Sequence, residues 1–242
     1  MDLLSGQAAP EAVIAASAKA AQTDLLRASR DPIFVEAVRL LLAIPAAARV
    51  EDFGAALRKI GLDVPNRPEL LDLVTAVTVT LDQRRAAAPA NSDFGEMASR
   101  ALASTLATTI GDVLPGLFGA TPEDVQAATR NLSWNKGIAE YSRRFFGTLL
   151  SETLSYWLDR TLDTAVGTDQ RFVNVSSRSA FDIELEHFSW ESSRIIKEFS
   201  GGWYGKTLHR DGGFSTEAAA CFGHVALKKI VDDLRTREIR IV

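Results

Sequence analysis

Apolar positions recur every three to four residues along most of the chain, the spacing that gives a helix one buried face. Helix-start and helix-stop residues punctuate the pattern. Asp31-Pro32 sets an N-cap carboxylate before a proline at the first helical position, where its missing N–H costs nothing. Residues 32–43 then place Phe34, Val38, Leu41 and Leu42 on one face, with Pro45 as the predicted end. Phe53, Leu57 and Ile60 repeat at helical spacing up to Gly61, which sits where a C′ glycine belongs. Pro68 marks the next start, with Leu70, Leu71, Val74 and Val77 expected inside. The β-branched run 75–80 is compatible with a strand, but the flanking pattern and its length favour helix. Residues 86–90, rich in alanine and proline, read as a linker.

Ser92 opens a segment toward Leu114, with Met97, Ala101, Leu102, Leu106 and Ile110 in register. Thr121-Pro122-Glu123-Asp124 is a further helix start: a hydroxyl cap, a permitted proline and two acids at the positive end of the dipole. The longest pattern runs over residues 136–165, about 45 Å if wholly helical. It carries two adjacent stripes: Ile138, Tyr141, Phe145 and Leu149, then Phe146, Leu150, Leu154, Trp157 and Leu158. A face that wide predicts a central helix with several neighbours, and Gly147 allows a bend or a close crossing. Residues 167–179 read as loop, with Phe172, Val173 and Val175 offering at most one short strand. Helices are expected over 180–199 and 215–236, with Gly201-Gly202 as a tight turn after the first.

The fold class is therefore all-α: a multi-helix bundle, Ala-rich over residues 1–118 and aromatic-rich over 119–242, the latter built on the long central helix. The two parts either stand as separate bundles or share one continuous core.

Composition sharpens the division. Fifteen of the nineteen aromatic residues, with all four tryptophans, lie between Trp134 and Phe222. Residues 1–126 hold 26 of the 35 alanines. They carry 11 basic and 16 acidic side chains, against 16 and 15 in the remainder. Neither part has the basic excess typical of a non-specific nucleic-acid binder. The single cysteine, Cys221, excludes an intrachain disulfide and reads as a small buried hydrophobe. No basic n-region or membrane-length apolar run is present, which predicts a cytoplasmic protein. Twenty arginines against seven lysines, with the alanine load, suggest a bacterial source.

Three stretches invite a chemical reading. Ser200-Gly201-Gly202-Trp203-Tyr204-Gly205-Lys206-Thr207 resembles a phosphate-binding loop in spacing. It lacks the leading glycine, puts bulky rings where backbone must approach phosphate, and follows a helical rather than a strand pattern. Glu184-x-x-His187 has the spacing of a di-iron half-site, but no second copy accompanies it. With Glu191 it is better read as a solvated helix face, and no metal or cofactor is expected. No Gly-x-Ser-x-Gly elbow occurs and no catalytic residues are assigned, although an enzyme whose site assembles from scattered acids such as Glu140, Glu152, Glu184 and Asp211 is a third reading.

The third stretch is the cluster Trp190, Arg194, Lys197, Trp203, Tyr204, Lys206, His209 and Arg210. These residue types serve equally as core plugs at a helix junction, as protein–protein anchors, or as stacking and phosphate contacts for nucleic acid. The expectation drawn is a non-enzymatic helical subunit, an adaptor or assembly factor that binds another protein in a bacterial complex through this cluster. Nucleic-acid binding through the same residues is the alternative, and self-association is compatible with either.

Overall fold

A computed structural model of the chain describes residues 13–14, 19, 22, 25–88, 92–116, 119–161 and 174–241. Its helices are α1 (Pro32–Ala47), α2 (Phe53–Lys59), α3 (Leu70–Ala87), α4 (Asp93–Gly111), α5 (Pro122–Asn131), α6 (Asn135–Thr161), α7 (Val175–Ser192), α8 (Ile195–Asp211) and α9 (Thr216–Ile241). No strand occurs among the described residues, and the fold is an all-α bundle. None of these helices is long and apolar enough to cross a membrane. The predicted linker's Pro89 and Ala90, the last residues of the 136–165 pattern, and Phe118, Phe172 and Val173 lie outside the described residues.

Local chemistry sets most helix starts. The Asp31 carboxylate accepts from the Ile33 and Phe34 amides at 2.8 and 2.9 Å. Ser92 Oγ accepts from Gly95 N, and Thr121 and Asp124 form a reciprocal capping box. At the end of α2, Gly61 adopts φ 94°, and the Leu62 and Gly61 amides bond back to the Leu57 and Arg58 carbonyls. That pair of bonds is the Schellman closure, which needs a residue without a β-carbon at the left-handed position.

Several expectations are corrected. Pro45 lies inside α1, which continues to Ala47. The ring forgoes one helical bond, to the Leu41 carbonyl, and is buried in the core. Leu71 is exposed, and Leu70 and Val74 are half-buried; α3 instead buries Leu73, Ala76, Val77 and Leu81. Residues 175–179 are helical, because Asn174 caps α7 by accepting from Ser177 N. Cys221 is exposed on α9 rather than buried.

Gly201-Gly202 is not a turn. The break between α7 and α8 falls earlier, at Ser193-Arg194. There the Arg194 amide bonds to Glu191 O rather than to Trp190 O. The Trp190 carbonyl accepts instead from Ser193 Oγ at 2.8 Å and from Arg143 Nη2 at 3.2 Å. A side-chain hydroxyl and a guanidinium that capture one helical carbonyl are a sufficient cause for the bend. Helix α8 then runs unbroken through both glycines.

The architecture has two axes. Helix α6, about 40 Å long, runs antiparallel to the bent α7–α8 rod and packs against both and against α4. Ion pairs mark the register: Arg178 to Asp159, Arg143 to Glu191, and Lys197 to Glu140. Helix α1 is the second axis, wedged among α9, α4, α3 and α5. It is buried nearly all round, not along one face. Its only charged residues, Glu36 and Arg39, neutralise each other: Arg39 donates from Nε and Nη2 to both Glu36 oxygens at 2.7 Å.

Aromatic rings link these axes. Phe94 of α4 meets Phe34 of α1 at 5.3 Å between centroids, and Phe34 meets Phe146 of α6 at 6.3 Å. Phe146 meets Phe222 of α9 at 6.1 Å, Phe222 meets Trp203 of α8 at 4.7 Å, and Trp203 stacks on Phe214. Such tilted and offset pairs add stabilisation beyond the area they bury.

Candidate functional site

The structure separates the eight residues of the 190–210 cluster by role. Tyr204 is 1 % exposed and stacks on Phe214 at 4.8 Å, while Trp203 is half-buried against Phe214 and Phe222. Burial pushes the Tyr204 phenol above its ordinary range, as it does for Tyr141. Trp190 is half-buried under the Arg143 guanidinium, which lies 3.9 Å from its ring centroid. Arg194, Lys197, Lys206, His209 and Arg210 are exposed. Lys197 pairs with Glu140 and Arg210 with Asp211, and Glu198 is exposed on the same helix. The α8 surface thus carries nearly balanced charge, while its rings face inward.

Of the glycines in this stretch, Gly201 serves packing. A Cβ on Gly201 would stand 2.7 Å from the Asn135 carbonyl oxygen at the start of α6, whereas one on Gly202 would meet nothing within 4 Å. Gly201→Ala is expected to lower stability by about 1–3 kcal/mol through forced displacement of α6. Gly202→Ala, one residue along the same helix, should raise it by about 0.4–1 kcal/mol. Denaturant midpoints of the two variants shifting in the same direction would contradict this geometry.

The other sequence candidates stay apart. The phosphate-loop-like stretch is continuous helix, so its amides are committed to helical bonds rather than turned toward a ligand. Glu184 and His187 are exposed, Glu191 pairs with Arg143, and no group of three His, Cys, Asp or Glu able to hold a metal occurs among the described residues. Of the scattered acids, Glu140 and Asp211 are paired as above. Glu152 faces Arg100 at 3.1 Å, and burial raises its pKa against the pull of that arginine.

One serine–histidine contact does exist: Ser29 Oγ lies 3.0 Å from His224 Nδ1. The hydroxyl also donates to Leu26 O at 2.7 Å, and Ser29 is 2 % exposed. The Ser29 hydroxyl thus ties the 25–30 segment to α9.

The corner where α5 ends and α6 begins does not stand out in the apolar pattern. Trp134 sits there, 55 % exposed, with the Arg49 guanidinium 5.0 Å from its ring centroid. Val50, beside Arg49, is 53 % exposed. Gln126 of α5 holds the turn after α1 by donating Nε2 to the Val50 carbonyl at 2.8 Å. Arg130 and Lys136 flank Trp134 along the chain, both exposed and neither in an ion pair among the described residues. Glu51 is the nearest exposed acid in sequence. Trp134 belongs to no helical stripe, being in a three-residue turn, so periodicity could not single it out. The available signal was a tryptophan between two basic residues at a helix junction.

Compared with family models, curated proteins and solved structures, the chain finds no match in any of the three.

Proposed function

We propose that this protein is a non-enzymatic helical interaction subunit, and that it docks a partner protein through the Trp134 corner. The observation that carries the reading is an exposed tryptophan held in place by an arginine, with an exposed valine alongside. Tryptophan and arginine are the residue types most enriched where single side chains dominate binding. A ring already oriented by a cation loses little freedom on docking. Arg49, Arg130 and Lys136 fit a partner with an apolar pocket rimmed by carboxylates. Arg49 covers one face of the ring, which leaves the edge and the other face for insertion and disfavours base stacking on the covered side. The rings of Trp203 and Tyr204 support the same reading indirectly, by making the frame under this corner rigid.

A photo-crosslinking residue at position 50, in protein expressed in its source cells, tests the proposal. The expected result is one discrete adduct with a protein whose crosslinked segment is acidic around an apolar site. Trp134→Ala should weaken that complex by about 2 kcal/mol or more, roughly thirtyfold. Stability should change by no more than about 0.5 kcal/mol, because the ring is largely outside. An adduct with a second copy of this chain, crosslinking to nucleic acid, or an adduct unaffected by Trp134→Ala would overturn the assignment.

A further inference from the structure

On another part of the surface, a cavity of about 590 Å³ opens where the start of α1, the end of α3 and the start of α9 meet. Its lining includes Arg30, Arg84, His224 and Glu36 over an apolar floor of Val35 and Ala220. The volume is that of a small-molecule site, and an apolar floor with few convergent polar groups is the usual composition of one.

The charges decide what it would take. Glu36 is 2 % exposed and fully committed, accepting from Arg39 at 2.7 Å on each oxygen and facing Arg84 Nε at 3.2 Å. One carboxylate is therefore shared between two guanidinium groups, and Arg84, with 55 % of its side chain exposed, keeps donors free. Arg30 is exposed and makes no ion pair among the described residues. Neither Asp31 nor Glu217 lines the cavity. Asp31 accepts from the Ile33 and Phe34 amides, and Glu217 is held below its ordinary pKa by its own backbone amide and the Ser215 hydroxyl. His224 lines the cavity, and its Nδ1 bonds to Ser29. Among the lining residues, two guanidinium groups thus stand against one carboxylate, and that carboxylate is already paired with Arg39, above an apolar floor.

We propose that this cavity binds a small organic anion, a carboxylate or phosphate ester whose charged end lies between Arg30 and Arg84 and whose apolar body rests on Val35 and Ala220. Arginine forks recognise both oxyanions through paired N–H donors, so the two chemistries share one site. The buried Glu36 positions Arg84. The site is independent of the Trp134 corner and stands or falls without it.

Calorimetric titration of the full chain at low salt with benzoate, phenyl phosphate and uncharged phenol tests this. Both anions should bind with one-to-one stoichiometry, and phenol at least tenfold more weakly. Arg30→Gln should weaken both anions about tenfold, the loss of one charge-assisted hydrogen bond. Its melting temperature should be unchanged, since Arg30 holds nothing in the fold. Arg210→Gln, at an arginine paired to Asp211 on α8, should bind as the unaltered protein does. No binding at millimolar anion, equal affinity for phenol, or Arg30→Gln within twofold of the unaltered chain would each overturn the proposal.

Discussion

Replacing Phe222 by alanine should lower folding stability by about 3–5 kcal/mol. The ring is fully buried on α9 and touches three others: Phe146 of α6 at 6.1 Å, and Phe199 and Trp203 of α8 at 5.5 and 4.7 Å. Removing it deletes the burial of a whole aromatic side chain and opens a void among rigid rings. These neighbours belong to two different helices and have no common direction in which to relax, so the cavity term should be near the top of its range. Urea or guanidinium unfolding measures the loss. A change below about 1 kcal/mol would mean that the ring chain does not bear on the core.

Glu36→Ala should cost about 3 kcal/mol or more, for an electrostatic reason. Arg39 is only 12 % exposed and would keep a single partner, the Ile60 carbonyl at 2.7 Å, once its carboxylate is gone. A guanidinium left without its counter-charge inside the protein is costly, whereas removing both members of a buried pair is often nearly neutral. The double variant Glu36→Leu with Arg39→Met should therefore be more stable than Glu36→Ala alone. A double variant that is less stable than the single would show that the pair does more than cancel charge. Arg84, more than half exposed, can turn to water in either case.

Helix starts were legible because their chemistry is local: the Asp31, Ser92 and Thr121 caps act within three residues of themselves. The stripes of α6 were legible for a similar reason, since large rings at helical spacing leave few alternatives. What periodicity missed depends on partners far along the chain. Glu36 and Arg39 look like an exposed i,i+3 pair, which makes α1 one-sided by periodicity, yet Arg84 of α3 and the Ile60 carbonyl close over them. Gly201-Gly202 has the composition of a turn, and only the approach of Asn135 explains why the first glycine must lack a side chain. Leu71 fits an apolar pattern and still faces outward, because the buried arc of α3 is set by Leu73, Val77 and Leu81. The surface corner at Trp134 is a product of the same long-range packing. It exists because the turn after α1 is fixed by Gln126 beside the start of α6.

The burial of α1 on all sides has a temporal consequence. Its partner α9 lies about 170 residues downstream. At typical synthesis rates, roughly 10–30 s separate the appearance of these two segments on the ribosome. During that interval α3, α4 and α5 can cover part of α1 while the side that meets α9 stays open, and contacts of such long sequence separation slow the search for the native arrangement. An apolar strip of α1 therefore waits in water until α9 arrives.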